Sequence, residues 1–270
     1  MSLTFGSGPF GQRPGGRFNR EISSEGLLYL EESPKWIRAR VGGETVIDSR
    51  RPRILHEHAR LPVFYFLHED VRSDLLRPSG RTEEDPVKGQ QRMLTLEAGG
   101  QVAEDAAWTF HGEPFLDGLL GFRWSAMDEW LEEEEPLFGH TRDPYSRIDV
   151  RETSRHVRVS VDGEPLAETR RAKALFEAGL PPRWYMPADD VRQELLEPSD
   201  KQTTCAYKGF ASYWHVRVGD RLEEDLVWTY RDPLHDALPV KDMLAFFNER
   251  VELEVDGVRE QPPKTQWSPS

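Results

Sequence analysis

Residues 43–110 recur as residues 163–230 at a constant offset of 120 positions, without a gap. Gly43 falls on Gly163, Arg50-Arg51 on Arg170-Arg171, Glu57 on Glu177, Pro62 on Pro182 and Tyr65 on Tyr185. Asp70-Val71-Arg72 matches Asp190-Val191-Arg192, Lys88-Gly89 matches Lys208-Gly209, and Trp108-Thr109 matches Trp228-Thr229. About a third of the aligned positions are identical. A period of 20–50 residues would mean a solenoid. This one is the size of a globular domain, so a chain of 270 residues must build one fold twice.

Each copy opens with two short alternating segments around a tight turn. In the first they are Trp36 to Val41 and Thr45 to Ser49 around Gly42-Gly43; in the second, His156 to Val161 and Pro165 to Thr169 around Asp162-Gly163. Asp-Gly between alternating strands is a strong hairpin signal. An extended piece follows at Pro62 to Phe66 and at Pro182 to Met186. The pattern then predicts a short helix, Glu69 to Leu76 in one copy and Asp189 to Leu196 in the other. Asp189 would be its N-cap and Pro78 or Pro198 its stop. A long hairpin comes next, turning at Gly99-Gly100 and at Gly219-Asp220. After residue 110 the copies diverge: Met127 to Glu135 is expected to be helical and Val251 to Val255 extended.

The expected fold is therefore mainly β, duplicated, with one short helix per copy. The expected organisation is a flexible arm over 1–33, a first domain over 34–135 and a linker over 136–154. A second domain over 155–258 and a loose tail over 259–270 complete it.

Net charge is −13, which argues against non-specific nucleic-acid binding, since that rests on Lys and Arg neutralising phosphates. No run approaches the roughly 18–20 apolar residues needed to span a bilayer, so no membrane partner is expected. The N-terminus lacks the apolar centre of a signal peptide. Cys205 is the single cysteine, which excludes an intrachain disulfide and fits a reducing, cytoplasmic setting.

Comparing the two copies separates residues kept in both, which serve the fold, from residues present in one, which are candidates for activity. The stretch 203–215 differs most from its counterpart 83–95. Only Lys-Gly survives, and the second copy alone carries Cys205, Tyr207, Tyr213, Trp214 and His215. A working pocket is therefore expected in the second domain, with the first degenerate. Cys205 is a candidate nucleophile if Lys208 or His215 activates it, or else a small core residue. Lys208 either anchors a carboxylate or phosphate or pairs with Glu177, as Lys88 would with Glu57. Arg171, Glu177 and Tyr185 are either a substrate clamp or a structural network. Tyr207, Trp214, Trp228 and Tyr230 alternate along the hairpin, as a ligand-binding aromatic box or as core. No Cys-x-x-Cys exists, and His56-x-His58 has no matching partners, so neither metal nor cofactor is expected.

Each repeat resembles the bacterial family of domain of unknown function 427. The resemblance rests on Arg171 to Glu177, Pro181-Pro182-Arg183-Trp184-Tyr185-Met186-Pro187, Asp190-Val191-Arg192, Leu196-Glu197-Pro198-Ser199 and Thr203-Thr204-Cys205-Ala206-Tyr207-Lys208-Gly209. Ala206 stands where the family has Pro, and the first copy lacks the Cys and Tyr of that motif. The segment His140 to Tyr145 is similar to the linker of the tandem form. The resemblance implies two tandem β-tent-like domains, similar to those of methionine sulfoxide reductase B, Yippee and cereblon-type proteins. Those folds hold zinc with two Cys-x-x-Cys pairs, so here the fold is expected without the metal but with an aromatic-lined pocket. The family has also carried a nucleotidyltransferase name, but no Gly-Ser followed by paired carboxylates accompanies it here.

Three functions stay open. One is a module binding a small molecule of unknown identity through Tyr185, Tyr207, Trp214, Trp228 and Tyr230, with Arg171, Glu177 and Lys208 as polar anchors. The second is an enzyme in the same pocket, with Cys205 as nucleophile or Glu177 and Lys208 in acid–base chemistry of a nucleotidyl-transfer-like kind. The third is a scaffold acting through the interdomain interface expected around His140 to Arg147.

Overall fold

The computed structural model describes residues 3–269. The chain divides into two compact units, one ending at Pro144 and the other starting at Tyr145. Both are mainly β.

The first unit contains a seven-stranded antiparallel sheet. Its order is Leu28–Glu32, Arg53–Glu57, Val63–Leu67, Leu119–Phe122, Gln101–Gly112, Gly89–Ala98 and Leu76–Asp85. A four-stranded sheet runs Glu135–Leu137, Glu129–Glu132, Ile37–Val41 and Glu44–Ser49. Period-2 alternation explains the core. Ile37, Ala39 and Val41 are buried while Arg38 and Arg40 between them are not, and Phe64, Phe66, Leu96 and Trp130 join the same cluster. The hairpin turn at Gly42-Gly43 has φ of 55° and 79°, the left-handed pair that a type I′ turn needs. Asp162 and Gly163 repeat it at 50° and 79°.

The second unit has the same strands in the same roles, but its large sheet is split. Ile148–Glu152, Lys173–Glu177 and Arg183–Tyr185 form three strands; Leu196–Cys205, Gly209–Val218, Arg221–Pro233 and Ala245–Phe246 form four. In the first copy Leu67 pairs with Leu119 across the seam. The second copy has Pro187 at that position, and proline has no N–H for a ladder. Only an isolated bridge, Met186 to Leu244, remains there. Glu164–Thr169, Val157–Val161, Glu252–Val255 and Val258–Arg259 make the remaining sheet.

Several expectations change. Glu69 to Leu76 and Asp189 to Leu196 form no α-helix; each begins with two single 3₁₀ turns, His68–Asp70 with Ser73–Leu75, and Ala188–Asp190 with Gln193–Leu195. Asp189 is not an N-cap, because Pro187 holds that place without a side-chain bond. Asp190 accepts instead from the Thr169 hydroxyl at 2.6 Å, as Asp70 does from Ser49 at 2.7 Å, so these acids hold the turn to a neighbouring strand. Met127 to Glu135 is not helical: Glu129–Glu132 pairs with Ile37–Val41, and Trp130 and Leu131 are buried.

The duplication also reaches further than the aligned residues. Leu28 pairs with Glu57 and Ile148 with Glu177, at the same offset of 120, so the supposed arm and linker each supply a strand. Before Leu28, the Thr4 carbonyl accepts from the Ala59 N–H at 2.9 Å and the Phe10 carbonyl from His58 Nδ1 at 2.9 Å. After residue 259, Thr265 donates to Glu249 at 2.6 Å and Trp267 packs on Phe247, which anchors the tail to its own unit.

Candidate functional site

The large sheet of the first unit carries a second apolar cluster on the face away from the main core. Along Val63–Leu67, Phe64 and Phe66 enter the core, so Val63, Tyr65 and Leu67 point to the other face. Tyr65, Leu55, Phe110, Leu116 and Leu119 are buried there, and Trp108 lies partly buried against them. Trp108 Nε1 donates to the Tyr65 hydroxyl at 3.0 Å, with the rings edge to face at 6.4 Å. The Trp108 indole lies directly over Gly121, where a Cβ would come within 2.5 Å of it.

The polar half of the cluster comes from Glu57 and from the turn before Gly89. Lys88 Nζ bonds Glu57 and lies 3.3 Å from Asp85 and 5.0 Å from the centre of the Phe110 ring. Gly89 has φ of 78°, and a Cβ there would meet the His111 carbonyl at 2.5 Å; Gly209 has φ of 90°, so the left-handed backbone accounts for glycine in both copies. Burial alone raises the Asp85 carboxyl, but backbone N–H bonds from Lys88 and Val87 and the Lys88 ammonium bring it below its ordinary value. Between Tyr65, Trp108, Phe110, Glu57, Asp85 and Lys88 lies a cavity of about 260 Å³, rimmed by Arg60, Leu61, Val63 and Gln91.

The second copy rebuilds the tryptophan–tyrosine pair and the lysine–glutamate pair. Trp228 Nε1 donates to the Tyr185 hydroxyl at 3.0 Å, the rings meet edge to face at 6.2 Å, and Lys208 bonds Glu177. Cys205 stands at the position of Asp85, and Tyr230 at that of Phe110. Burial pulls the Lys208 ammonium down, but Glu177, Cys205 and Tyr185 outweigh it and the net shift is upward. Burial pushes the Tyr185 phenol up to about 12, against the pull of Lys208 and Trp228. Tyr230 is raised as well, chiefly by burial. At neutral pH the lysine is thus a fixed ammonium paired with a carboxylate, suited to holding charge and not to moving protons.

Of the residues singled out from the sequence, the fold gathers Glu177, Tyr185, Cys205, Lys208, Trp228 and Tyr230. Tyr207 is buried in the turn between the hairpin strands. Trp214 is not part of the group. Trp228 pairs with Tyr213 and shares its face, whereas Trp214 pairs with Val227 and faces the other way, with Arg231 over its ring. Arg171 is also elsewhere: it bonds Asp190 at 2.5 Å and lines a separate groove with Glu152, Thr153, Ser154 and Lys173. His215 is six residues along the strand from Gly209, the partner of Cys205, roughly 20 Å at strand rise, so it cannot activate that thiol. His56 is buried, bonds Glu31 at 2.8 Å and lies 3.8 Å from Asp143. Among the described residues no group of three or more His, Cys, Asp or Glu is set to hold a metal ion.

The copies differ most in what stands before the tryptophan. In the second, Arg183 takes the place of Val63, and its guanidinium lies 5.7 Å from the Trp228 ring, 6.0 Å from Phe247 and 5.5 Å from Trp267. Phe247 packs on Trp228 at 4.6 Å. Arg183 makes two bonds of 2.7 Å to Glu249. Side chains of the protein itself therefore stand against the Trp228 indole. Arg183, Phe247, Glu249 and Trp267 were not singled out from the sequence. The signal for Arg183 was present: an arginine in one copy where the other has Val63.

A family model described as domain of unknown function (DUF427) matches residues 29–133 and again residues 149–257. No curated protein matches the chain. Among the described residues no helix is long and apolar enough to cross a membrane.

Proposed function

The chain belongs to the DUF427 family, which it carries twice in tandem, and from that premise we propose that it binds a small molecule in the cleft of its first copy. The observation that carries the reading is the cavity of about 260 Å³ beside Trp108, where aromatic walls meet three buried or half-buried charges. Ligand sites combine apolar walls with a few fixed polar groups in this way. The volume suits a compact ring-sized compound better than a nucleotide or an oligosaccharide.

The second copy then serves as a closed twin. Its tryptophan, tyrosine and lysine have the same geometry, but Arg183 and Phe247 cover the indole. The pocket expected there from Cys205 and Tyr207 moves, in this reading, to the copy that lacks both.

A thermal-shift screen of the full chain over amino acids, heterocycles, sugars and nucleotides tests the proposal. A binder raises the midpoint by mass action. The rise should vanish in Trp108→Ala and in Val63→Arg and persist in Trp228→Ala. Loss in Trp228→Ala with retention in Trp108→Ala would move the site to the second copy. A screen with no binder would remove the reading.

A further inference from the structure

We infer that the first-copy cleft takes a planar cation, an amidinium or guanidinium carried on an aromatic ring. The inference rests on the reading of that cleft as a ligand site and names the chemistry it selects.

The duplication supplies an internal comparison. In the second copy the space before the Trp228 indole holds a guanidinium, from Arg183, and an aromatic ring, from Phe247. A cation over an indole face is the strongest of the cation–π pairs. The first copy keeps the indole and the tyrosine that orients it but lacks both occupants. Val63 replaces Arg183. Strand register places Phe122 opposite Ala107 as it places Phe246 opposite Val227, so Arg123 is the counterpart of Phe247. Arg123 turns away and donates to the Glu104 carbonyl at 3.0 Å. No aromatic ring therefore stands over the Trp108 indole from that strand, and the cavity beside the indole is walled by Val63 where the second copy has Arg183.

The charges point the same way. Where the second copy has Cys205 the first has Asp85, so the cluster holds two carboxylates, Glu57 and Asp85, against one ammonium. Lys88 is engaged by both carboxylates and faces the Phe110 ring, which leaves it no free direction for an anion. Arg60 is the only other cation on the cavity wall. Its side chain is 64% exposed and bonded to Glu57, so water screens it. With Arg60 counted the wall is neutral, so what favours a cation is the pair of carboxylates beside the aromatic faces and not a net charge, and a planar cation matches carboxylate oxygens with paired N–H groups. An anion would meet two carboxylates.

The test is calorimetric titration of the full chain with benzamidine, benzamide and benzoate, three compounds of one shape and three charges. Benzamidine should bind at one site, roughly tenfold or more tighter than benzamide, with benzoate weakest. Val63→Arg, which supplies the cation from the protein, should abolish benzamidine binding. Asp85→Asn should weaken benzamidine and leave benzamide unchanged. Both variants are checked for fold by circular dichroism, and either decides the matter alone. Benzamide or benzoate binding as well as benzamidine would overturn the charge assignment and leave the cleft as a ligand site. Benzamidine that fails to bind, or that binds equally to both variants, would overturn the inference whatever the wider screen finds.

Discussion

Arg183 and Glu249 close on each other through two hydrogen bonds of 2.7 Å, with side chains 7% and 0% exposed. The pair joins the short strand Arg183–Tyr185 to the segment after Ala245–Phe246. Thr265 of the tail adds a third bond, to Glu249, at 2.6 Å.

Breaking this pair on one side should cost far more than replacing it. Glu249→Ala strands a buried guanidinium, and a loss of about 3–5 kcal/mol is expected in urea unfolding of the second unit. Arg183→Val with Glu249→Leu, which imitates the first copy, should cost much less. Equal losses in the single and double variants would mean that the charges are not coupled.

Acid should weaken the same contact. Burial raises Glu249, but the bonds from Arg183 and Thr265 and the charge of Arg183 bring it below its ordinary value. A carboxyl lowered on folding contributes stability that is present above its unfolded value, about 4.3, and is lost as pH falls through the folded value. Urea midpoints measured downward from pH 5 should fall in the native chain and fall less in the double variant.

Alkali should act on the other side of the cluster. Tyr185 is pushed up to about 12 and Lys208 is also raised. Groups raised on folding contribute fully below their unfolded values and lose that contribution as pH rises through the folded ones. Stability should decline from about pH 10, the ordinary tyrosine value, toward about 12. Tyr185→Phe should flatten that decline, although it leaves the Trp228 N–H without its acceptor, at about 1–3 kcal/mol. An unchanged alkaline slope would show that other groups set it.

Gly121→Ala should destabilise the first unit by about 1–3 kcal/mol, because the new methyl meets the Trp108 indole and not a flexible side chain. Trp108 must then move, and its fluorescence should change with it. The reverse exchange in the twin, Ala245→Gly, removes one methyl and should cost less. A silent Gly121→Ala would mean that the indole is not held against the sheet.

Much of the fold was legible because it rests on local patterns. Alternation marked Ile37–Val41 and Val157–Val161, and positive-φ turn chemistry marked Gly42-Gly43 and Asp162-Gly163. Alternation is also present in Ile148–Glu152, inside the expected linker, but not in Leu28–Glu32, inside the expected arm, which reads Leu-Tyr-Leu-Glu-Glu. Met127 to Glu135 misled because its acidic run suits a helix surface, whereas Trp130 and Leu131 are consecutive buried residues on a strand. The pairing of Lys208 with Glu177 was one of two readings held open, and the structure supplies the contact. Trp214 and Trp228 differ by an even number of residues but lie on different strands, so only the pairing of Tyr213 with Trp228 and of Trp214 with Val227 fixes that they face opposite ways.

By itself the sequence determined that one β domain is built twice, where its hairpins turn, and which charged and aromatic residues both copies keep. These follow from period, turn chemistry and identity at a fixed offset. Only the tertiary structure decided what stands before each tryptophan. That outcome depends on Val63 against Arg183, and on what Phe247, Glu249 and Trp267 do from far along the chain. Whether a space is filled depends on side chains that meet only once the strands have paired, and no local pattern records such a meeting.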